Sequence, residues 1–183
     1  MKAKKSTSHK KQKAARAVAT RFDLRDYRRA LGQFATGVTV VTSRTEKGRP
    51  IGLTVNSFAS VSLDPPLVLW SLSRQASDFS DFNTAGRFAI NVLSAKQHHL
   101  SRQFSTTLAN KFKHVEYEQA PDRSPLLKGA TAHFICRTAA QFDGGDHVII
   151  LGEVEEYCWN DGEPLVFHSG RYHVTTRHPD LPG

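Results

Sequence analysis

The segment from Gly52 to Ser77 constrains the fold of this chain more than any other stretch. It mixes apolar, β-forming residues with seven small hydroxyl residues, namely Thr54, Ser57, Ser60, Ser62, Ser71, Ser73 and Ser77. A turn at Asp64-Pro65-Pro66 divides it, because two successive prolines fix φ and remove backbone donors. We therefore expect strands whose hydroxyl groups line a dry slot. Such a slot suits a phosphate and a planar ring, which favours a flavin nucleotide over a metal ion or a nucleic acid.

Strands also dominate the rest of the pattern. Asp23 is expected to cap a helix that runs to about Phe34 and is ended by Gly37, and Ser77 is expected to cap a short helix over 78–84. A further helix is expected over 95–104. The expected strands are 38–44, 51–58, 67–72 (fully buried), 87–93, 130–141, 147–159 and 165–168. Regular βαβ alternation is absent, so the sequence predicts a mainly β fold with flanking helices, a closed or split antiparallel β-barrel.

The positive charge is concentrated in one terminal segment. The formal net charge is +8, but residues 1–21 carry eight Lys or Arg and no acid, which leaves 17 basic and 17 acidic residues elsewhere. We expect residues 1–21 to be a disordered basic tail, 22–176 to be one domain, and 177–183 to be a short C-terminal tail. A nucleic-acid-binding barrel that uses the tail is an alternative, but a neutral domain argues against it.

Several other functional classes lack their sequence signals. No apolar run reaches about eighteen residues, so we expect no membrane span, and residues 1–21 lack the apolar centre of a secretory signal. Cys136 and Cys158 have no metal-binding or redox spacing, which indicates free thiols in a reducing cytoplasm. The histidines show no metal-ligand spacing. Rossmann, P-loop and GxSxG motifs are also missing.

Five motifs occur in an order that resembles the short-chain flavin reductase family. They are TGVTVVT (36–42), GLTVNSFASVSLDPPLVLWSL (52–72), RFAINVL (87–93), GGDHVIILGEV (144–154) and PLVFHSGRY (164–172). Each motif alone is weak, but together they cover roughly 23–172. The resemblance implies an FMN-binding split barrel, usually a homodimer, that serves as the reductase component of a two-component flavin monooxygenase.

The resemblance implies flavin contacts from four short segments. They are Thr54-Val55-Asn56-Ser57, Ser71-Leu72-Ser73, Ser77, and Lys111-Phe112. The first would line the flavin with backbone amides and small side chains, and the second would follow the ring and the ribityl chain. Ser77 would contact the phosphate, although it could instead be a helix cap alone. Lys111-Phe112 would lie near the phosphate or the ring edge, unless it is a surface lysine beside a core phenylalanine.

Two segments similar to family motifs are expected to meet the nicotinamide. His147 follows Gly144-Gly145-Asp146 at a strand start, and its implied role is to orient the dinucleotide without acid or base catalysis, with Asp146 shaping the turn or orienting it. Gly170-Arg171-Tyr172 matches a terminal G-x-Y motif. Gly170 would permit a tight bend, Arg171 is a candidate phosphate contact, and Tyr172 would cover the ring face unless it only packs the barrel end.

These expectations combine into one reaction hypothesis. A hydride would pass from NADH or NADPH to bound FMN, with FAD also possible, and no side-chain acid or base would be required. NADH and FMN are preferred on the resemblance alone. Reduced flavin would then feed a transient oxygenase partner. The alternative is a flavin- or haem-binding module of the same barrel type that does not turn over NADH.

Overall fold

The computed structural model describes residues 23–180 and divides the chain into two compact units. One unit comprises the residues up to Ala35 together with His168–Gly170, and the other comprises Thr36–Phe167 with the residues from Arg171 onward. The basic tail expected over 1–21 lies outside the described residues, as do residues 181–183 of the expected C-terminal tail. Among residues 23–180, no helix is long and apolar enough to cross a membrane.

The first unit is built on helix α1 (Leu24–Leu31). Asp23 is its N-cap, and its carboxylate accepts the backbone N–H groups of Arg25 and Asp26, as the sequence predicts. The helix ends at Leu31, with Gly32 as C-cap, and therefore stops short of the expected end at Phe34 and Gly37. No residue of α1 is buried, although its apolar residues recur at helical spacing.

The second unit is mainly β and contains the remaining helices. These are a short 3₁₀ helix (Ala95–Gln97), α2 (Phe79–Thr84) and α3 (His98–Phe104). The strands are β1 (Thr36–Gly37), β2 (Thr39–Arg44), β3 (Pro50–Val55), β4 (Ala59–Leu63), β5 (Pro66–Ser73), β6 (Arg87–Val92), β7 (Tyr117–Gln119), β8 (Pro125–Leu127), β9 (Ala132–Gly144), β10 (His147–Trp159), β11 (Val166–His168) and β12 (Arg171–His173).

Seven of these strands form one antiparallel sheet in the order β3-β2-β6-β9-β10-β5-β4. Its two outermost strands, β3 and β4, are consecutive in the chain and are separated only by Asn56, Ser57 and Phe58. From Val55 to Ala59 the extended chain spans four steps, at most about 14 Å, so the sheet must curl until its two edges approach each other. Within residues 23–180 these edges do not pair, and the sheet is not closed by backbone hydrogen bonds. We call this open junction the seam.

The main core lies on the inner face of the curled sheet. Val68, Trp70 and Leu72 of β5 point into it, and the Trp70 ring packs edge-on against Phe82 and Phe88. Full burial of such side chains contributes about 1.5–3 kcal/mol each, which makes this face the main source of stability. A second apolar cluster contains Phe104, Phe112 and Leu127.

Several sequence expectations need correction. Strand β5 is not fully buried, because its residues alternate between the core and the outer face, which places Ser71 and Ser73 on the half-buried outer side. Strand 51–58 ends at Val55, and β4 beyond it was not predicted. The helix after Ser77 begins at Phe79 with Asp78 as N-cap, so the expected cap at Ser77 is wrong. Strand β12, which follows Gly170, was not predicted.

Candidate functional site

Strand β3 directs backbone groups into the seam. The Gly52 carbonyl accepts a bond from the Lys111 ammonium at 3.1 Å, and it therefore points away from β2. In an antiparallel pair, residues two apart direct their N–H and C=O groups the same way, so Thr54 also turns its backbone toward the open edge. The peptide groups of β3 at the seam are thus not used by β2, and contact of the segment that starts at Thr54 with a flavin stays a prediction.

Across the seam, small hydroxyl groups gather on the outer face of β5. The Ser71 backbone N–H donates to Ser57 Oγ at 2.9 Å, which ties the β3–β4 linker to β5. The Ser73 hydroxyl accepts the Gln75 N–H at 3.2 Å. His147 of β10 pairs in register with Ser73, and Ile149 pairs with Ser71. The pairing therefore brings a predicted nicotinamide residue next to two predicted flavin residues.

The turn before His147 fixes the imidazole. His147 Nδ1 lies 2.7 Å from an Asp146 carboxylate oxygen, and because a carboxylate accepts, the proton sits on Nδ1 in the neutral ring. Arg74 braces the same turn through Asp143 at 2.7 Å and the Gly145 carbonyl at 3.0 Å. The Arg74 hydrogen bond, followed by the Gly145 N–H and the Arg74 charge, lowers the pKa of Asp143 below its ordinary value.

A second group joins β3, α3 and β12. Thr54 Oγ1 donates to the Ser101 carbonyl at 2.8 Å, and the Ser101 hydroxyl lies 2.8 Å from the Tyr172 hydroxyl. The Arg102 guanidinium carbon lies 5.9 Å from the centre of the Tyr172 ring, within cation–π range. Tyr172 also packs on Phe167, 5.6 Å between ring centres. Tyr172 therefore both packs in the fold and connects to Thr54 through one intervening residue.

Lys111 is buried at the edge of a cavity of about 450 Å³. Its side chain is 5% exposed, and its ammonium lies 3.3 Å from the Asp78 carboxylate. Arg49 approaches the same carboxylate at 3.6 Å. The alternative of a surface lysine is therefore wrong, because Lys111 is held inside. Phe112 lines the same cavity and also belongs to the second core cluster.

A close approach of β3 and α3 shapes this wall. A Cβ atom on Gly52 would lie 2.5 Å from the Phe104 ring, so only glycine fits here. Gly52 thereby brings the start of β3 against α3, and the Lys111 ammonium reaches its carbonyl.

The other predicted site residues have varied surroundings. Val55 and Leu72 are buried, whereas Asn56 and Arg171 are exposed. Ser77 is exposed, and its hydroxyl lies 3.5 Å from the Asp78 carboxylate. Their proposed ligand contacts stay predictions.

Gly170 has a positive φ of 77°, which matches the expected tight bend. In the described part of the chain, no group of three His, Cys, Asp or Glu side chains is arranged to hold a metal ion.

Sequence reasoning missed Asp78, Ser101 and Arg102. Asp78 and Lys111 are 33 positions apart, and no local pattern signals their ion pair. Ser101 lies inside a helix, and the helical pattern predicts only which face of that helix is buried, not the contacts of Ser101. One signal for the ion pair was present in the sequence: Asp78 directly follows Ser77, which was proposed to contact phosphate, and an acid at that position needs a basic partner nearby.

The donors at this site fit a flavin nucleotide. The seam offers backbone amides and neutral hydroxyls for a planar polar ring, and the buried Lys111 ammonium suits a phosphate. A mainly β fold with such a seam fits the class of flavin-binding oxidoreductases. Residues 31–176 match the family described as flavin reductase like domain.

Similar proteins carry related names. The chain is 51% identical over 148 residues to an FMN reductase (NADH) of Agrobacterium fabrum, covering 81% of this chain and 84% of that one. It is 40% identical to the reductase component of a flavin-dependent trigonelline monooxygenase of Acinetobacter baylyi, covering 81% of this chain. It spans only 48% of that relative, about half its length.

Among solved structures, an NADH:FAD oxidoreductase of Streptomyces globisporus, in complex with NAD and FAD fragments, matches with a TM-score of 0.80 and 37% identity, over 87% of this chain and 96% of that one. The chain therefore belongs to the flavin reductase family, and it is a flavin reductase.

Proposed function

We propose that this flavin reductase transfers a hydride from NADH to FMN and releases the reduced flavin to a separate oxygenase. The observation that carries the proposal is the seam, where the Gly52 carbonyl of β3 accepts from the buried Lys111 ammonium and the Ser57 hydroxyl accepts from the Ser71 N–H of β5. NADH, FMN and the oxygenase partner are supported by the printed names of the relatives. FAD stays open as a second substrate, because a seam at a sheet edge can leave an adenosine end outside.

The flavin ring is proposed to lie at the seam and its phosphate at the Lys111 cavity. From Gly52 to Ser57, five steps of extended chain span at most about 18 Å, a reach comparable with FMN from ring to phosphate. An ammonium has three donors, and Gly52 and Asp78 take two of those of Lys111. The third can bind a phosphate oxygen, with Ser77 beside Asp78 as a further donor.

The bound flavin supplies the redox chemistry by accepting the hydride. The residues of the seam would hold the flavin and nicotinamide rings against each other and exclude water. Ser57, Ser71 and Ser73 are the candidates to donate hydrogen bonds to the polar edge of the ring, where negative charge increases on reduction. No side-chain acid or base is required.

The nicotinamide is proposed to enter beside His147 and Tyr172. With its proton on Nδ1, the neutral His147 ring leaves Nε2 as an acceptor for the carboxamide N–H. Tyr172 would cover the ring face, Gly170 would set the bend before it, and Arg171 would reach a phosphate of the dinucleotide.

We further propose a split β-barrel that forms a homodimer in the cytoplasm. The curled sheet with adjacent, unpaired edges supports the split barrel. Leu24, Leu31 and Phe34 are 65, 57 and 79% exposed, which supports burial of this face against a second copy. Both cysteines are free, which fits a reducing compartment.

The test of the reaction is steady-state oxidation of NADH and NADPH with FMN, FAD and riboflavin. We expect the highest kcat/KM with NADH and FMN. His147→Ala should raise the KM for NADH about fivefold, the effect of one hydrogen bond of about 1 kcal/mol, and leave the KM for FMN unchanged. His98→Ala is the matched control. No NADH oxidation with any of the three flavins would refute the proposed function, and an unchanged NADH KM would remove His147 from the site.

A further inference from the structure

A thiol and an imidazole face each other across the β9–β10 pair, away from the seam. Cys158 of β10 lies in register with His133 of β9, and Cys158 Sγ is 3.5 Å from His133 Nδ1. Cys158 is exposed, so reagents in solution can reach its sulfur. The flavin site described above uses neither residue.

The proton position on His133 is fixed by a backbone group. His133 Nε2 lies 3.0 Å from the Leu127 carbonyl. A carbonyl can only accept, so in the neutral ring the proton sits on Nε2 and the lone pair of Nδ1 faces the Cys158 thiol. The three groups therefore have the arrangement that activates a nucleophile: the Cys158 thiol, the His133 imidazole as its base, and the Leu127 carbonyl that orients the base.

A cavity of about 310 Å³ adjoins this pair. It is lined by both residues of the pair and by Trp159, Lys128 and Glu118, among others. Lys128 Nζ and a Glu118 carboxylate oxygen are 3.7 Å apart with both side chains more than half exposed, so this ion pair is weak and easily exchanged. The cavity thus offers one cation and one anion beside a nucleophile, which complements a small molecule with amino-acid ends.

We propose that Cys158 is a site of covalent modification by small amino-acid disulfides, with His133 as its base. The thiol proton passes to His133 Nδ1, and the sulfur attacks one sulfur of the disulfide. The old S–S bond breaks as the new one to Cys158 forms. The leaving thiolate takes the proton back from His133, so the disulfide is the only oxidant and all atoms balance.

The other cysteine provides an internal control. Cys136 is fully buried, and burial, with smaller contributions from Asp122 and Glu155, raises its pKa to about 12. Its thiolate is therefore scarce at neutral pH, and since the thiolate is the nucleophile, Cys136 should not react in the folded chain.

The experiment treats the full chain with cystine at pH 7 and follows the adduct by intact-protein mass spectrometry. We expect one half-cystine per chain, located at Cys158 and absent from Cys158→Ser. His133→Gln should slow the reaction on the order of 10²-fold, since its amide can still donate to Leu127 but cannot take the proton. His99→Gln is the control and should react like the parent. NADH oxidation by Cys158→Ser should be unchanged.

A second comparison tests the ligand class. Lys128→Met should slow the reaction with cystine severalfold and leave the reaction with uncharged 2-hydroxyethyl disulfide unchanged. Unfolding in denaturant should bring Cys158 and Cys136 to the same rate, which shows that the fold creates the difference. Equal rates for His133→Gln and the parent, or an adduct on Cys136 in the folded chain, would overturn the proposal. Equal effects of Lys128→Met on both disulfides would overturn the assignment to amino-acid disulfides.

Discussion

Two polar regions of the sheet use similar small side chains in opposite ways. In the core, the fully buried Asn91 donates to the Val40 carbonyl at 2.9 Å and to Thr42 Oγ1 at 3.0 Å, and accepts the Leu127 N–H at 2.8 Å. At the seam, Ser57 is half-buried, and its hydroxyl accepts a single backbone N–H, from Ser71. The core group uses its hydrogen-bonding capacity internally, whereas the seam group keeps capacity for a ligand. Core polar residues should therefore affect stability, and seam residues should affect affinity.

The largest expected effect follows from breaking the core group. Asn91→Leu keeps a similar volume but leaves the buried Leu127 N–H without its acceptor. We expect the free energy of unfolding to fall by about 3 kcal/mol, measured by urea denaturation. Asn83→Leu, in the half-buried helix α2, should change it by less than about 0.5 kcal/mol. If both variants change the unfolding free energy by a similarly small amount, the hydrogen bonds of the Asn91 side chain do not stabilise the fold.

Lys111 combines the two behaviours, because it is buried like a core group but borders a cavity. Lys111→Met should raise the KM for FMN by about 10- to 100-fold, since a hydrogen bond to a charged group contributes about 1.5–3 kcal/mol. The KM for riboflavin, which has no phosphate, should stay nearly unchanged. Lys113→Met, which removes an exposed lysine two residues away, should affect neither. An equal loss of affinity for FMN and riboflavin would place Lys111 among the structural residues.

Much of this arrangement could be predicted from the sequence. The long strands over 132–144 and 147–159 follow from β-rich runs separated by a double glycine, and the bounds of β10 match the prediction. The mainly β class follows from the same runs. The expected closeness of His147 to the seam is consistent with its register partner Ser73, although contact with a ligand stays a prediction.

Other features depend on contacts between distant residues. The burial of Lys111 requires the Asp78 carboxylate and the Gly52 carbonyl, which come from two other parts of the chain. The shift of the helix cap from Ser77 to Asp78 is a difference of one residue that propensities cannot resolve, because both residues are good caps. Strand β5 was expected to be fully buried because its outer face is also rich in leucine, and periodicity fails when both faces are apolar.

A buried thiol extends the comparison to pH. The Cys136 pKa is raised from 9.0 to about 12, so its neutral form is favoured in the folded state. As the pH rises, the Cys136 thiol ionises at a lower pH in the unfolded chain than in the folded chain. The contribution of this thiol to the unfolding free energy is therefore complete below pH 9 and is lost as the pH rises toward 12. We expect the unfolding free energy of the parent to fall by about 1.4 kcal/mol per pH unit more steeply than that of Cys136→Ala over pH 9.5–11. Cys158→Ala should keep the parent slope, and parallel curves for the parent and Cys136→Ala would exclude this linkage.

The smallest expected effect tests the seam itself. Ser57→Ala removes the acceptor of the Ser71 N–H and one donor for the flavin ring. Water can reach a half-buried N–H, so the unfolding free energy should change by less than about 0.5 kcal/mol, whereas the KM for FMN should rise about fivefold, equivalent to one hydrogen bond of about 1 kcal/mol. Ser80→Ala, on the exposed side of α2, should leave both quantities unchanged. If Ser57→Ala instead lowers stability and leaves the KM for FMN intact, its hydroxyl serves the β4–β5 junction as Asn91 serves the core, and the distinction between the two regions fails.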